Sequence, residues 1–271
     1  MADDPLLEGG TAAAGTFSGT LSASELVLAT DAGFEPAGFV MGSAVCHIGL
    51  PGSAAASSGI ARAFTRPGEL KMVSQAVRSA KEAATARLED DARRLGADGV
   101  AGVRLTVGHA PWAHDAAEII VTGTALRHGG ARHSGDGTPA YQGPDRRPFV
   151  SGLSGQDLWT LLRSGHRPVG IVLGCCVYRA AADNWAPGAA LGNRELSNLT
   201  MAVYTARELA LRRMQDEAAR MGASGIVGVR LDHLGWREHR RIVECRALGT
   251  AITPVPGAPE AEPPATVLPV G

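Results

Sequence analysis

Several things are scarce in this 271-residue chain, and each scarcity excludes something. Lys and Arg total 26 against 27 Asp and Glu, a formal net charge of -1. A protein that neutralises phosphates carries a basic excess, so the composition argues against a nucleic-acid binder. Aromatic residues are 4% of the chain, too few for a base-stacking surface. No run of 18 or more apolar residues occurs, so no membrane-spanning helix is expected. The opening MADDPLLEGG is acidic where a secretory signal is basic and then apolar, so none is expected there. Four cysteines, Cys46, Cys175, Cys176 and Cys245, form neither a CxxC pair nor a disulfide framework, and a reducing cytoplasm is the expected compartment. There is also no GxSxG, HExxH, P-loop or GxGxxG after a strand, so nothing nominates a catalytic constellation.

What the chain does have is a repeat. LEDDARRLGADGVAGVRL at 88–105 matches MQDEAARMGASGIVGVRL at 214–231 without a gap, an offset of 126 residues. The same offset carries Gly123-Thr124-Ala125 onto Gly249-Thr250-Ala251 and Glu118 onto Glu244. Upstream the offset is 132: Leu21-Ser22 aligns with Leu153-Ser154, and Pro36, Gly38 and Gly42 with Pro168, Gly170 and Gly174. The first copy therefore has six more residues in the intervening loop. Hydrophobic residues make up 45% of the chain, enough for a core in each copy. The reading is repeat one at 21–126 and repeat two at 151–252, joined by a flexible linker at 127–150. The small, polar residues 1–20 and the Pro-rich residues 253–271 are expected to be disordered.

Both copies read alike. Ser22-x-x-Glu25 and Ser154-x-x-Asp157 are capping-box signatures that open a short helix. A strand follows at Gly38–Val45 or Val169–Tyr178, its glycines pointing to a bulge or a close backbone approach. After a Gly/Ala/Ser-rich loop comes a long helix over about 69–95 or about 195–221. Its apolar residues, from Leu70, Val73 and Val77 to Leu95 in the first copy, recur at spacings of three and four in a narrow, Ala-rich stripe. Gly96 and Gly222 sit where a terminating residue needs positive φ. A hairpin closes each unit, Val100–Val107 with Ala117–Leu126 and Ile226–His233 with Ile242–Ile252. The predicted class is α+β: two tandem βαββ domains, each a small, mostly antiparallel sheet packed on one long helix.

The runs LGADGVAGVRL and MGASGIVGVRL, each followed by a strand ending in Gly-Thr-Ala, resemble the YbjQ-like family, whose members are labelled heavy-metal-binding domains. The resemblance covers 21–126 and 153–252. It implies a small α/β unit that assembles into rings, typically pentamers, with a heavy-metal ion as the cofactor its label names. The chain departs from the family before the long helix. There the family has a Gly-rich stretch leading to Tyr-Glu, whereas PGELKMV and GNRELSNL stand here. A ligand pocket shaped by that loop would be altered.

The metal-ligand candidates are Cys46, His47, Cys175 and Cys176, because thiolate and imidazole suit Zn and Cu. Cys46 and His47 align with Tyr178 and Arg179, Cys175 and Cys176 with Ser43 and Ala44, and Cys245 with Ile119. A metal centre would thus belong to one repeat or to an interface. Adjacent residues on a strand point to opposite faces, so Cys175 and Cys176 are poorly placed to share an ion. Their alternative reading is as small buried hydrophobes. His109, His114, His128, His133 and His166 fall in loops, the linker or strand ends, where solvation is the simpler account. Polar residues that recur carry more weight: Glu69 with Glu195, Arg104 with Arg230, and Glu118 with Glu244. They are read as structural or interface groups. A cross-strand ion pair between Arg104 and Glu118 would explain their joint recurrence, and a polar pocket at a subunit boundary is the functional alternative.

These observations lead to a non-enzymatic, ring-forming cytoplasmic protein that binds a small ligand or heavy metal or serves as a scaffold. Unpaired sheet edges need cover, and side-by-side assembly would supply it. The two copies would stack as separate rings or alternate around one. Two alternatives come from other classes: an enzyme whose active site forms at subunit interfaces, and an adaptor that captures protein partners through its tails.

Overall fold

A computed structural model describes residues 17–47, 66–109, 116–129, 141–142, 147–182, 195–235 and 241–255. The Gly/Ala/Ser-rich loops, most of the 127–150 linker, residues 1–16 and the tail beyond 255 lie outside the described residues, as do His114 and His133. The elements run α1 (Ala23–Asp31), β1 (Phe34–His47), β2 (Gly68–Glu69), α2 (Lys71–Arg94), β3 (Gly99–His109) and β4 (Ala116–His128). Then come β5 (Phe149–Val150), α3 (Gly155–Arg163), β6 (His166–Arg179), α4 (Ser197–Arg220), β7 (Gly225–Gly235) and β8 (Ile242–Pro254). The fold is α+β. The bounds of α1, β1, α2, β3 and β4 recur in α3, β6, α4, β7 and β8 to the residue, at the offsets read from the sequence.

Local chemistry accounts for these elements. Ser22 and Glu25 form the complete capping box: the Ser22 amide donates to Glu25 Oε2 at 2.8 Å and the Glu25 amide to Ser22 Oγ. Ser154 caps α3 through the Asp157 amide in the same way. The stripe on α2 is buried from Val73 through Val77, Ala84 and Leu88 to Ala92. Gly96 and Gly222 end α2 and α4 at φ 65° and 69°. Gly42 and Gly174 are the points of closest helix–sheet approach. A Cβ on Gly42 would stand 1.9 Å from the Ala84 carbonyl oxygen, and one on Gly174 would stand 1.7 Å from that of Ala210. Only a residue without a side chain fits there.

The sheets have the orders β1-β4-β3-β5 and β2-β6-β8-β7. All pairings are antiparallel except the short parallel pair of β3 with β5. The repeats therefore exchange edge strands. β2 belongs to repeat one but pairs with β6, while β5 precedes repeat two but pairs with β3. Neither two-residue strand is visible in the sequence, since two residues have no period, and β5 lies inside the stretch read as linker. The hairpins differ from expectation in register. Arg104 stands opposite Thr122, and Glu118 opposite Gly108, so no Arg104–Glu118 pair forms. Pairing continues out to His109 opposite Ala117, which leaves Glu118 four residues from the partner of Arg104; the bulge between Ala101 and Arg104, with Gly102 at φ 61°, shifts the register by only one residue.

Candidate functional site: the boundary between the repeats

The chemistry of the chain concentrates where repeat two lies against repeat one. β1 and β6 are the same element, yet their surroundings differ. β1 leaves Phe39, Met41 and Val45 exposed by 42%, 49% and 49%. Their counterparts Ile171, Leu173 and Val177 are exposed by 3%, 1% and 0%, because α2 lies over them. One apolar core runs from Val40 and Val121 of repeat one into Ile171, Cys175 and Val177 of repeat two.

Polar groups fix this contact. The Leu70 amide donates to the Val177 carbonyl at 2.8 Å, and the Val177 amide donates to Ser74 Oγ at 3.0 Å. Lys81 Nζ donates to the Ile171 carbonyl at 2.9 Å and to Glu217 Oε1 at 2.7 Å. Arg213 Nη1 forms an ion pair with Glu69 Oε1 at 2.6 Å and donates to the Cys175 carbonyl at 2.8 Å. Burial works against the Glu69 carboxylate, but the hydrogen bonds from Arg213 and Ser74 outweigh it and hold its pKa below the ordinary value. On the other flank, Gly155 N–H donates to Glu25 and Trp159 Nε1 to Asp31, joining α3 to α1.

The recurring polar residues sort themselves by this boundary. Glu69 is in it, and its counterpart Glu195 is exposed. Glu244 is buried in it, 2.5 Å from Arg246 Nε, and Arg246 reaches the Val107 carbonyl across the repeats. Glu118 is half-buried, Arg104 is exposed, and Arg230 reaches the Gly152 carbonyl at 3.3 Å. Thr124 and Thr250, which also recur, are buried anchors. Thr124 Oγ1 accepts from the Thr20 amide at 2.7 Å, and Thr250 Oγ1 from the Gly152 amide at 3.1 Å. They tie down the segments that lead into α1 and α3.

The metal-ligand candidates do not converge. Cys175 faces the core shared with α2, whereas Cys176 faces the core under α4. Cys46 and His47 are adjacent on β1 and so alternate likewise. Burial, with Glu244 next to it, pushes the Cys175 thiol well up. Burial also pushes Cys176 to about 12 and Cys245 to about 11. These thiols stay protonated at neutral pH, so a soft metal would have to displace the proton on binding. Among the described residues no three His, Cys, Asp or Glu side chains stand close enough to hold an ion. The described residues do not fit a heavy-metal centre within one chain. Sequence reasoning missed one grouping: Cys176 pairs with Cys245 across β6 and β8, and His233 lies 3.7 Å from Cys245. An open cleft of about 530 Å³ between α1 and α3 is walled by Phe34, His128, Tyr141 and Trp159.

A duplicated α+β domain whose halves trade edge strands across a buried polar boundary is one tandem-domain module rather than two independent units. The chain belongs to the YbjQ family: the family model described as "Putative heavy-metal-binding" matches residues 35–128 and 169–254. It is similar to Encapsulin nanocompartment protein Rv1762c of Mycobacterium tuberculosis, 37% identical over 259 residues that cover 94% of this chain and 92% of that protein. It is also similar to UPF0145 protein TTHA1944 of Thermus thermophilus, 47% identical over 60 residues, 22% of this chain and 51% of that one. No helix among the described residues is long and apolar enough to cross a membrane.

Proposed function

We propose that this protein is a non-enzymatic cytoplasmic subunit that assembles with copies of itself into a ring, and that the ring works as a scaffold beside a protein nanocompartment. One observation carries the self-assembly: the face that β6 buries under α2 is left bare on its twin β1. Three large apolar side chains half-exposed on one strand face are costly, since burying each fully is worth about 1.5–3 kcal/mol. The nanocompartment part of the reading rests on Rv1762c, which aligns over nearly the whole chain.

Native mass spectrometry tests the first part. The wild-type chain is expected at a multiple of 27.9 kDa, and Met41→Asp at the single-chain mass with an unchanged circular dichroism spectrum. A wild-type monomer at micromolar concentration sinks the reading. The second part is tested by co-expressing the chain with an encapsulin shell and isolating shells by sedimentation. Shells without the chain rule out the association.

A further inference from the structure

We propose that copies of this chain join head to tail through a second edition of the internal boundary. First and second repeats then alternate around one assembly, and the junction is keyed by two ion pairs: Arg207 with Asp91 of the neighbouring copy, and Glu195 with its Arg87. This rests on the self-assembly reading and adds the partner surface and the residues that recognise it.

The offsets translate each boundary contact into a contact at the open ends. Lys81 corresponds to Arg207 and its partner Glu217 to Asp91. Glu69 corresponds to Glu195 and its partner Arg213 to Arg87. The first two positions change residue type between the copies and the last two do not, yet the sign of every charge is kept. The receiving side is already arranged. The Met41 amide donates to Asp91 Oδ2 at 3.2 Å, as the Leu173 amide does to Glu217 Oε2 at 2.8 Å. Arg87 donates to the Ser43 carbonyl, as Arg213 does to that of Cys175. Asp91 also meets the exposed Arg94 at 3.4 Å, a contact a closer partner can displace.

The entering side is open. Arg207 is exposed in a groove of about 360 Å³ bordered by Leu196, Thr200, Val203, Tyr204 and His233, resting 4.8 Å above the Tyr204 ring. Leu196, Thr200 and Val203 are the counterparts of Leu70, Ser74 and Val77, which are buried against β6. The same groove on repeat one is thus filled by a strand of the β1/β6 type. The matching apolar strand face, bearing Phe39, Met41 and Val45, is exposed at the other end of the chain. The sheet edges agree. Among the described residues β1 and β7 are the long strands left at a sheet edge, and each is the counterpart of a strand, β6 or β3, whose flank a two-residue strand covers internally. Phe17, 44% exposed, corresponds to Phe149, which is 1% exposed on β5 beside β3.

Alternation follows from occupancy. β6 is covered on both faces, so a second repeat has no β6 face to offer another second repeat's groove. Its twin β1 does, and β1 belongs to a first repeat. A contact of this kind is heterologous and repeats from copy to copy, giving a ring where the rotation per step closes and a filament where it does not.

The test is a charge exchange read by native mass spectrometry and sedimentation velocity on the full chain. Arg207→Glu and Asp91→Arg each put like charges into one junction, and each is expected to weaken assembly by at least about a hundredfold while the circular dichroism spectrum stays that of a folded chain. Carrying both substitutions on one chain reverses the pair at every junction without unbalancing it. Assembly of that double variant is then expected to return. The pairing is overturned if wild type assembles and either single variant does too, or if the double variant stays dissociated. A monomeric wild type overturns the self-assembly reading itself.

Discussion

Lys81 on α2 and Glu217 on α4 meet across the repeat boundary at 2.7 Å, with side chains only 4% and 13% exposed. A buried pair of this kind gains little over a well-packed apolar pair, but losing one partner strands the other charge. Lys81→Ala is therefore expected to destabilise the chain by about 3–5 kcal/mol, read from denaturant midpoints. The double variant Lys81→Met with Glu217→Leu should lose much less. If the single variant loses under about 1 kcal/mol, the pair is solvated and the boundary looser than described.

Gly174 meets α4 so closely that an added Cβ would lie 1.7 Å from the Ala210 carbonyl oxygen. Gly174→Ala must push the helix off the sheet, at a cost of about 1–3 kcal/mol or more. Gly108, beside which an added Cβ meets nothing within 4 Å, is the control. Thermal melts of both variants compare them directly. Equal melting points would mean that the helix is not held at this distance.

The thiols give a pH-dependent readout. Cys176 and Cys245 are pushed up to about 12 and about 11, and Cys175 well above the usual thiol value of 9.0. At about pH 8 the folded protein should react quickly with a disulfide reagent at no more than one thiol, the half-buried Cys46, and at all four after unfolding. Fast labelling of two or more in the folded state would contradict the burial of β6 and β8.

Acid should loosen the boundary through Glu69. Its pKa is held below 4.5, so its contribution is complete above that value and is lost as pH falls through the lower folded value. Glu69→Gln is expected to flatten the acid limb of the stability–pH profile below pH 4.5 and to lower stability at neutral pH. An acid limb unchanged by the substitution would remove Glu69 from the account.

Much of the fold was legible because its signals are local. The capping residues Ser22 and Ser154, the three-and-four spacing from Val73 to Ala92, and the terminating Gly96 and Gly222 each act within a few residues of themselves. The glycines at 42 and 174 hint at a close approach, although not at which atoms they meet. The site is less legible. Glu69 and Arg213 recur unchanged in the other copy, as Glu195 and Arg87, but nothing in the sequence pairs them, and Lys81 and Glu217 change residue type between the copies; the partners of all four are more than a hundred residues away in sequence. The Arg104–Glu118 pair fails because the strands stay paired out to His109 opposite Ala117, which puts Thr122 across from Arg104 and Glu118 four residues nearer the turn, a register that hydrophobic alternation alone does not fix. The two-residue strands β2 and β5, which join the repeats, carry no periodicity.

The sequence by itself determined the duplication, the α+β class and the order of elements in each repeat, since these follow from hydrophobic period, caps and turns. Only the tertiary structure decided that the two copies are unequal in their surroundings. Equivalent strands meet different neighbours, because one chain supplies a single internal boundary and leaves its two complementary faces at the ends. Burial is a property of what lies opposite, and that is set by contacts distant in sequence.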